Sequence, residues 1–259
     1  MFEREIDVAR QAAESAGALL VELYGNDIHV RKKGRVDLVT DADVQAEDLI
    51  VKTIAAHFPS DGVLAEESGR YRGDSGRTWL IDPLDGTTNY AHGFPLFAVS
   101  IALEIEGRLE LGVVSCPVMG EVFEARRGWG ARLNGHPVHV AGTARLSEAL
   151  LGTGFPYNLR QDPELHIDRF ARMVLSAQGV RRPGSAAIDL CYVAAGRFDG
   201  FWEVGLKPWD TAAGVLMVEE AGGLVTTLQG EPFTPYAKSV LAANPVLHQE
   251  MVASFQRES

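Results

Sequence analysis

Residues 79 to 90 read Trp-Leu-Ile-Asp-Pro-Leu-Asp-Gly-Thr-Thr-Asn-Tyr. Asp82 and Asp85 stand three apart, with Pro83 between them and Gly86 just after. The apolar run Trp79 to Ile81 predicts a buried strand that ends by delivering Asp82. Pro83 stiffens the exit and Gly86 permits a tight turn, so Asp85 is expected to fold back beside Asp82. Two carboxylates held close repel each other unless a proton or a cation sits between them. Gly86, Thr87 and Thr88 then offer backbone N–H groups and hydroxyls suited to an anion. A cation-holding acid pair beside an anion cradle is the layout that metal-assisted hydrolysis of a phosphate ester requires. The competing reading is a surface Pro-Gly turn with solvated aspartates.

Further acidic residues stand at expected element ends. Glu66 follows Gly62-Val63-Leu64-Ala65, with Glu67 as its neighbour; Glu203 follows Phe201-Trp202; Asp210 precedes a helical pattern; Asp37 and Asp43 bracket the start of another. In open α/β sheets such ends converge on a crevice. Carboxylate oxygens suit Mg²⁺, Mn²⁺ or Ca²⁺ rather than zinc. Each also has an ordinary role. Thr40-Asp41-Ala42-Asp43 resembles a helix cap, Asp210 suits an N-cap, and Glu67 suits a solvated surface. Other chemistry is missing. The chain has no Gly-x-x-x-x-Gly-Lys loop, no His-Glu-x-x-His and no Gly-x-Ser-x-Gly. Leu133 breaks the dinucleotide-like pattern that begins at Gly128. His136 and His139 have metal-like spacing but no acidic or Cys companion, so they read as exposed positions.

The elements that must position these residues follow from periodicity. Helices are expected at 5–23, from Thr40 to about His57, at 163–177, 185–195 and 211–221, and at the C-terminal end. In the second of these the apolar side is assigned to Val44, Leu49, Ile50 and Ile54. The basic stretch 25–36 reads as a mobile loop. Strands are expected at 62–65, 78–82, 96–106, 109–115, 121–125, 199–203 and 239–242, with a hairpin at Glu106-Gly107-Arg108. The chain reads as one domain, 1–259, with subdomains of roughly 1–145 and 146–259.

The 259 residues are 46% hydrophobic and carry a net charge of −11. That composition is globular, and the charge argues against direct nucleic-acid binding. It also means that any phosphate site needs bound cations to reverse the local sign. Cys116 and Cys191 lack zinc spacing and read as buried thiols. The charged first ten residues contain no leader-like apolar run, and no stretch reaches the length of a membrane span. A cytoplasmic protein with no membrane partner is the expectation.

Val36 to Asp43, Ala65-Glu66-Glu67-Ser68, Trp79 to Tyr90, Gly184-Ser185-Ala186-Ala187 and Trp209 to Gly214 together resemble the inositol monophosphatase family over nearly the whole chain. The resemblance implies an α/β (α+β) fold, a layered α/β/α/β/α sandwich of the sugar phosphatase type. It also implies Mg²⁺ dependence with two or three ions per site, lithium sensitivity and a homodimer. By position, Glu66, Asp82 and the Leu84 carbonyl would hold one Mg²⁺, and Asp82, Asp85 and Asp210 a second. Glu66 would help place a third through water. Thr87, oriented by Asp43, would position the attacking water, and Gly86 to Thr88 would bind phosphate. Asp85, Gly184, Ser185, Ala186 and Glu203 would meet the rest of the substrate, with Lys32 as a possible loop contact.

The implied substrate is a small phosphate ester, myo-inositol monophosphate first. Glu203 suits a polyol, whose hydroxyls need acceptors. Fructose 1,6-bisphosphate or a broader range of sugar phosphates is the alternative, because Arg181 or Arg182 could meet a second phosphate. A regulatory protein that keeps the fold is the third reading.

Overall fold

The structure, a computed structural model, describes residues 2–25, 30–32, 38–71, 73–156 and 159–256, with the backbone alone at 30–32 and 38–40. The first part of the chain runs α1 (Glu3–Leu23), β1 (Val30–Lys32), β2 (Leu38–Thr40), α2 (Asp41–His57), β3 (Gly62–Ala65), β4 (Gly69–Tyr71), β5 (Arg77–Asp85) and α3 (Thr87–Ala91). A meander follows: β6 (Ala98–Ile105), β7 (Arg108–Cys116), β8 (Glu121–Arg126), β9 (Gly130–Leu133) and β10 (His136–Val138). The remainder is β11 (Leu150–Thr153), α4 (Pro163–Ser176), β12 (Gly179–Arg181), α5 (Ala186–Ala194), β13 (Gly200–Val204), α6 (Pro208–Glu220), β14 (Leu224–Thr226), β15 (Ser239–Ala243) and α7 (Pro245–Gln256).

Strands β10-β9-β8-β7-β6-β5-β3-β4 form an eight-stranded sheet, and β12-β11-β13-β15-β14 a five-stranded one. Pairing in the larger sheet is antiparallel except between β3 and β5. Side chains alternate across a strand, and that alternation assembles the layers. On β5, Trp79 and Ile81 pack with α1 and α2, whereas Leu80 packs with α5 and α6. On β15, Val240 and Ala242 face α5 and α6, whereas Leu241 and Ala243 face Met173 of α4 and Leu247 and Met251 of α7. Helices α5 and α6 are therefore the filling between two sheets, and the layers run α/β/α/β/α as expected.

The middle layer explains its own composition. A helix covered on both sides is apolar all round, and every α6 residue from Thr211 to Val218 is buried. Close approach is made possible by glycine. A Cβ on Gly214 would lie 2.6 Å from the Leu190 Cβ of α5, and one on Gly112 of β7 would lie 2.9 Å from the Ala213 Cα.

Several expectations change. Residues 30–32 of the expected loop are a strand, paired antiparallel with β2. Val44 is 51% exposed, while Ala42, Asp43, Ala46, Glu47, Ile50 and Ile54 are buried. The inner face of α2 thus includes two acids, because it borders the acidic cleft described below and not only apolar core. Helix α6 begins at Pro208, before Asp210, since proline is well suited to a first helical turn. The hairpin at Glu106-Gly107 is present, with φ of 51° and 80° at its two central residues. That geometry matches the twist of the flanking strands.

Candidate active site

The acid pair is placed by an irregularity in a strand. Strand β5 does not end at Asp82 but runs through Asp85. Asp82 pairs with Ser100 and Asp85 with Ala98, so three steps on β5 match two on β6. One extra residue is accommodated around Pro83, which has no N–H to give to the ladder. In a regular strand residues three apart face opposite ways. Here Leu84 packs on the α1 and α2 side, while Asp85 turns to α5, where its Oδ2 accepts from Ser185 Oγ at 2.6 Å and from the Ala187 N–H at 2.7 Å. The bulge brings Asp82 and Asp85 to the same face. It replaces the tight turn expected at that point.

The neighbouring strand supplies Glu66. Strand β3 runs parallel to β5, and the Glu66 N–H donates to the Ile81 carbonyl at 3.2 Å. The turn after it is fastened by Glu47 of α2, whose carboxylate accepts from the Glu67 and Ser68 N–H groups at 2.8 and 2.7 Å. Glu47 escaped the sequence reading. The available signal was its place one turn after Asp43 on the same helix face.

After β5 the chain turns at Gly86, with φ 99°. A Cβ there would lie 3.0 Å from the Leu96 carbonyl and 3.4 Å from the Gly184 carbonyl, so both conformation and space favour glycine. Thr87 is buried. Its Oγ1 lies 3.2 Å from Asp43 Oδ1 and 3.0 Å from the Leu84 carbonyl, either of which takes its proton. Asn89 Nδ2 donates to the Leu96 and Pro183 carbonyls, each at 2.8 Å, tying this turn to the segment before α5. Asp210, in the first turn of α6, accepts from the Lys207 N–H at 2.8 Å, so its capping role and its place in the site coexist.

These groups line one cleft of about 290 Å³, which Glu66, Asp82, Leu84, Asp85, Gly86, Thr87, Thr88 and Asp210 share with Gly184, Ser185, Ala186 and Glu203. Asp43 stands behind Thr87. Arg182 lines the cleft, whereas Arg181 Nη1 donates to the Val180 carbonyl. The side chain of Lys32, and Lys33 and Asp37 entirely, lie outside the described residues.

The electrostatics are those of crowded anions. Burial raises Asp82 well above the carboxylate range, and Glu66, Asp85 and Asp210 each push it higher. Asp210 is raised by burial and by Asp85. Burial pushes Asp85 up to about 6 against the opposing bonds from Ser185 and Ala187. Glu203, on the far wall, is pushed up to about 8 by burial, then Asp210 and Asp85. A divalent cation would relieve this repulsion. Among the described residues no three such side chains close into a finished ligand set. Mg²⁺ keeps several waters and takes one or two carboxylates directly, so converging hard oxygens without a closed cage fit it.

The chain is similar to known proteins over nearly its whole length. The Inositol-1-monophosphatase of Synechocystis sp. is 44% identical over 248 residues, 95% of this chain and 86% of that protein. The Nus factor SuhB of Escherichia coli K12 is 42% identical over 256 residues, 98% of this chain and 96% of that protein. The crystal structure of the extragenic suppressor protein suhB from Bartonella henselae superimposes with a TM-score of 0.95 at 40% identity, covering 99% of this chain and 100% of that one. The sequence profile of the Inositol monophosphatase family matches residues 2–259, and the chain belongs to that family.

Proposed function

We propose that the protein is a Mg²⁺-dependent phosphomonoesterase that converts myo-inositol monophosphate and water to myo-inositol and phosphate. The observation that carries this reading is the convergence of Glu66, Asp82, Asp85 and Asp210 with the Thr87–Asp43 pair in one cleft. Glu66, Asp82 and the Leu84 carbonyl would hold one ion, and Asp82, Asp85 and Asp210 another, with Glu66 reaching a third through water. Bound Mg²⁺ supplies charge neutralisation for the phosphate and makes water more acidic.

The chain's own groups do the rest. With its proton committed to Asp43 or the Leu84 carbonyl, Thr87 Oγ1 presents lone pairs that orient a water for attack. The N–H groups of Gly86, Thr87 and Thr88 open a helical turn, where the first donors have no partner within the turn, and they suit phosphate oxygens. Phosphoryl transfer depends mainly on such positioning and charge compensation. Gly184, Ser185, Ala186 and Glu203 would meet the inositol ring, and Lys32 remains a candidate loop contact.

Phosphate release from inositol 1-phosphate, 2-glycerophosphate and fructose 1,6-bisphosphate, with Mg²⁺ and with chelator, tests the reading. Chelator-resistant turnover would sink it. Lithium sensitivity is part of the same proposal, since Li⁺ has half the charge of Mg²⁺ at similar size. Inhibition by Li⁺ beyond that of K⁺ at equal ionic strength is the expected result, because screening alone treats them alike.

A homodimer is expected on light scattering. A cytoplasmic location fits the sequence, and among the described residues no helix is long and apolar enough to cross a membrane. We read the chain as one domain of two subdomains, 1–145 and 146–259, supported by a core cluster that joins residues of both. A second reading, action through protein contact, has one observation in its favour: the E. coli relative carries the name of a Nus factor. Loss of activity in Asp82→Asn without loss of cellular function would favour it.

A further inference from the structure

We propose that Asp189 is a specificity-determining residue of this cleft, forming with Glu203 an acceptor pair for the hydroxyls of the leaving alcohol. It selects a hydroxyl-rich monophosphate over a small ester or a bisphosphate. The inference rests on the phosphatase reading above and names a residue of the same site.

Asp189 has no structural occupation that explains it. It lies in the first turn of α5, where its neighbours Ile188, Leu190 and Cys191 are fully buried between the two sheets. The helix is already capped by Ser185, whose Oγ accepts from the Ile188 N–H. Asp189 is 1% exposed, and its Oδ1 has no hydrogen-bond partner among the described residues. A buried carboxylate oxygen without a donor is costly. Such an arrangement is retained where the donor comes from outside the fold.

Its position says where that donor arrives. Residues four apart share a helix face, so Asp189 sits one turn below Ser185, the residue that holds Asp85. Both line the cleft, as does Glu203 of β13. Glu203 is buried too, and its carboxylate rests against Gly154. A Cβ at 154 would fall 2.3 Å from both Glu203 oxygens, so the chain leaves room for this carboxylate by carrying no side chain there.

The hydrogen-bonding groups of this wall decide the ligand class. Burial, then Glu203 and Asp85, hold the Asp189 carboxyl well above its usual range, and Arg182 opposes them more weakly. Two carboxylates facing one guanidinium make a surface rich in acceptors. A second phosphate, itself all acceptor, finds only the one guanidinium as a charged donor there and competes with the acids for it. Adjacent hydroxyls of a polyol each bring a donor, and a carboxylate can take several. A glycerol ester brings fewer hydroxyls, on a short flexible chain, than the ring of an inositol phosphate.

Steady-state kinetics of Asp189→Ala and Asp189→Asn test this on inositol 1-phosphate, 2-glycerophosphate and fructose 1,6-bisphosphate. In Asp189→Ala the ratio of kcat/KM for inositol 1-phosphate to that for 2-glycerophosphate should fall about tenfold, mostly through KM. Asp189→Asn, which keeps one acceptor oxygen and the volume, should restore part of that ratio. Both variants should narrow the preference for inositol 1-phosphate over the bisphosphate. Melting temperature should hold or rise, because an unpartnered buried acid has been removed. Equal losses on all three esters would mark a structural role and overturn the assignment, as would an unchanged ratio. If Asp189→Ala does not fold, the Asp189→Asn ratio decides alone. Wild-type protein that releases phosphate from none of the esters would overturn the phosphatase reading itself. An active wild type with an unmoved ratio removes only the role of Asp189.

Discussion

The two walls of the cleft are built on opposite principles. On the wall made by β3, β5 and α2, functional carboxylates are tied to the protein by several donors. Asp85 accepts from Ser185 and Ala187, Glu47 accepts from Glu67 and Ser68, and Asp43 lies at Thr87. On the wall made by α5 and β13, Asp189 leaves an oxygen without a partner, and Glu203 is set against a bare glycine. The first wall must hold fixed geometry around a highly charged reacting group, where small misplacements are costly. The second needs open acceptors, since its partners arrive with the substrate. Preorganisation and unsatisfied capacity are thus separate resources, allotted to different sides of one pocket.

The largest expected effect comes from breaking the first wall at its centre. Asp82→Asn should reduce phosphate release by more than about a hundredfold, because an amide is a far weaker ligand for a hard cation. Circular dichroism should remain native, and near-normal turnover at saturating Mg²⁺ would remove Asp82 from the ion-binding set. Loosening that wall from behind comes next. Glu47→Ala should cost about 2 kcal/mol of stability, because two donors lose their acceptor. Activity should fall about tenfold as Glu66 loses its support, with a higher Mg²⁺ requirement, read by denaturant unfolding and Mg²⁺ titration.

The second wall should yield more gently. Gly154→Ala displaces the Glu203 carboxylate, and KM for inositol 1-phosphate should rise about fivefold, with a smaller change for 2-glycerophosphate, as expected for a lost substrate contact. Equal changes on both esters would show that Glu203 serves the ions instead. The smallest effect lies outside both walls. His248 of α7 is buried, its Nε2 2.9 Å from Thr226 Oγ1, and burial lowers its pKa. The neutral ring is therefore favoured by folding. Its contribution is complete above the ordinary histidine pKa and is lost as pH falls from there through the lowered folded-state value. Melting temperatures from pH 8 to pH 5 should fall less steeply in His248→Gln than in the parent, and parallel curves would remove His248 from the pH response.

The first wall was legible because its residues come in short runs whose order carries the pattern. Asp82, Asp85, Gly86 and Thr87 lie within six positions, and Asp43, Glu66 and Asp210 stand in other such runs. Asp189 and Glu47 were not legible. Asp189 is the one acid of α5 and Glu47 is one of four on α2, and only the packing of a second element shows either to be buried. The same reason hid the outward turn of Val44. The long strands of the meander followed from their apolar length. Three-residue strands such as β4, β10, β12 and β14 did not, because so short a segment has no period of its own and is defined by the neighbour it joins.

The bulge at Pro83 makes the Asp-Pro-Leu-Asp segment a counting device. Its chemistry depends on the one extra residue between two acids as well as on their identity. Substitution of Leu84 by another apolar residue keeps the count and should be tolerated as a packing change. Removing a single residue between the acids would let β5 and β6 pair regularly; carboxylates two apart would still share a face, but their spacing, the Leu84 carbonyl and the turn of the second acid toward Ser185 would all change. A library of one-residue deletions and insertions across 82–85 should therefore give folded, catalytically silent proteins where point substitutions at 84 give active ones. For anyone transplanting this centre into another sheet, the irregularity of the ladder has to travel with the acids.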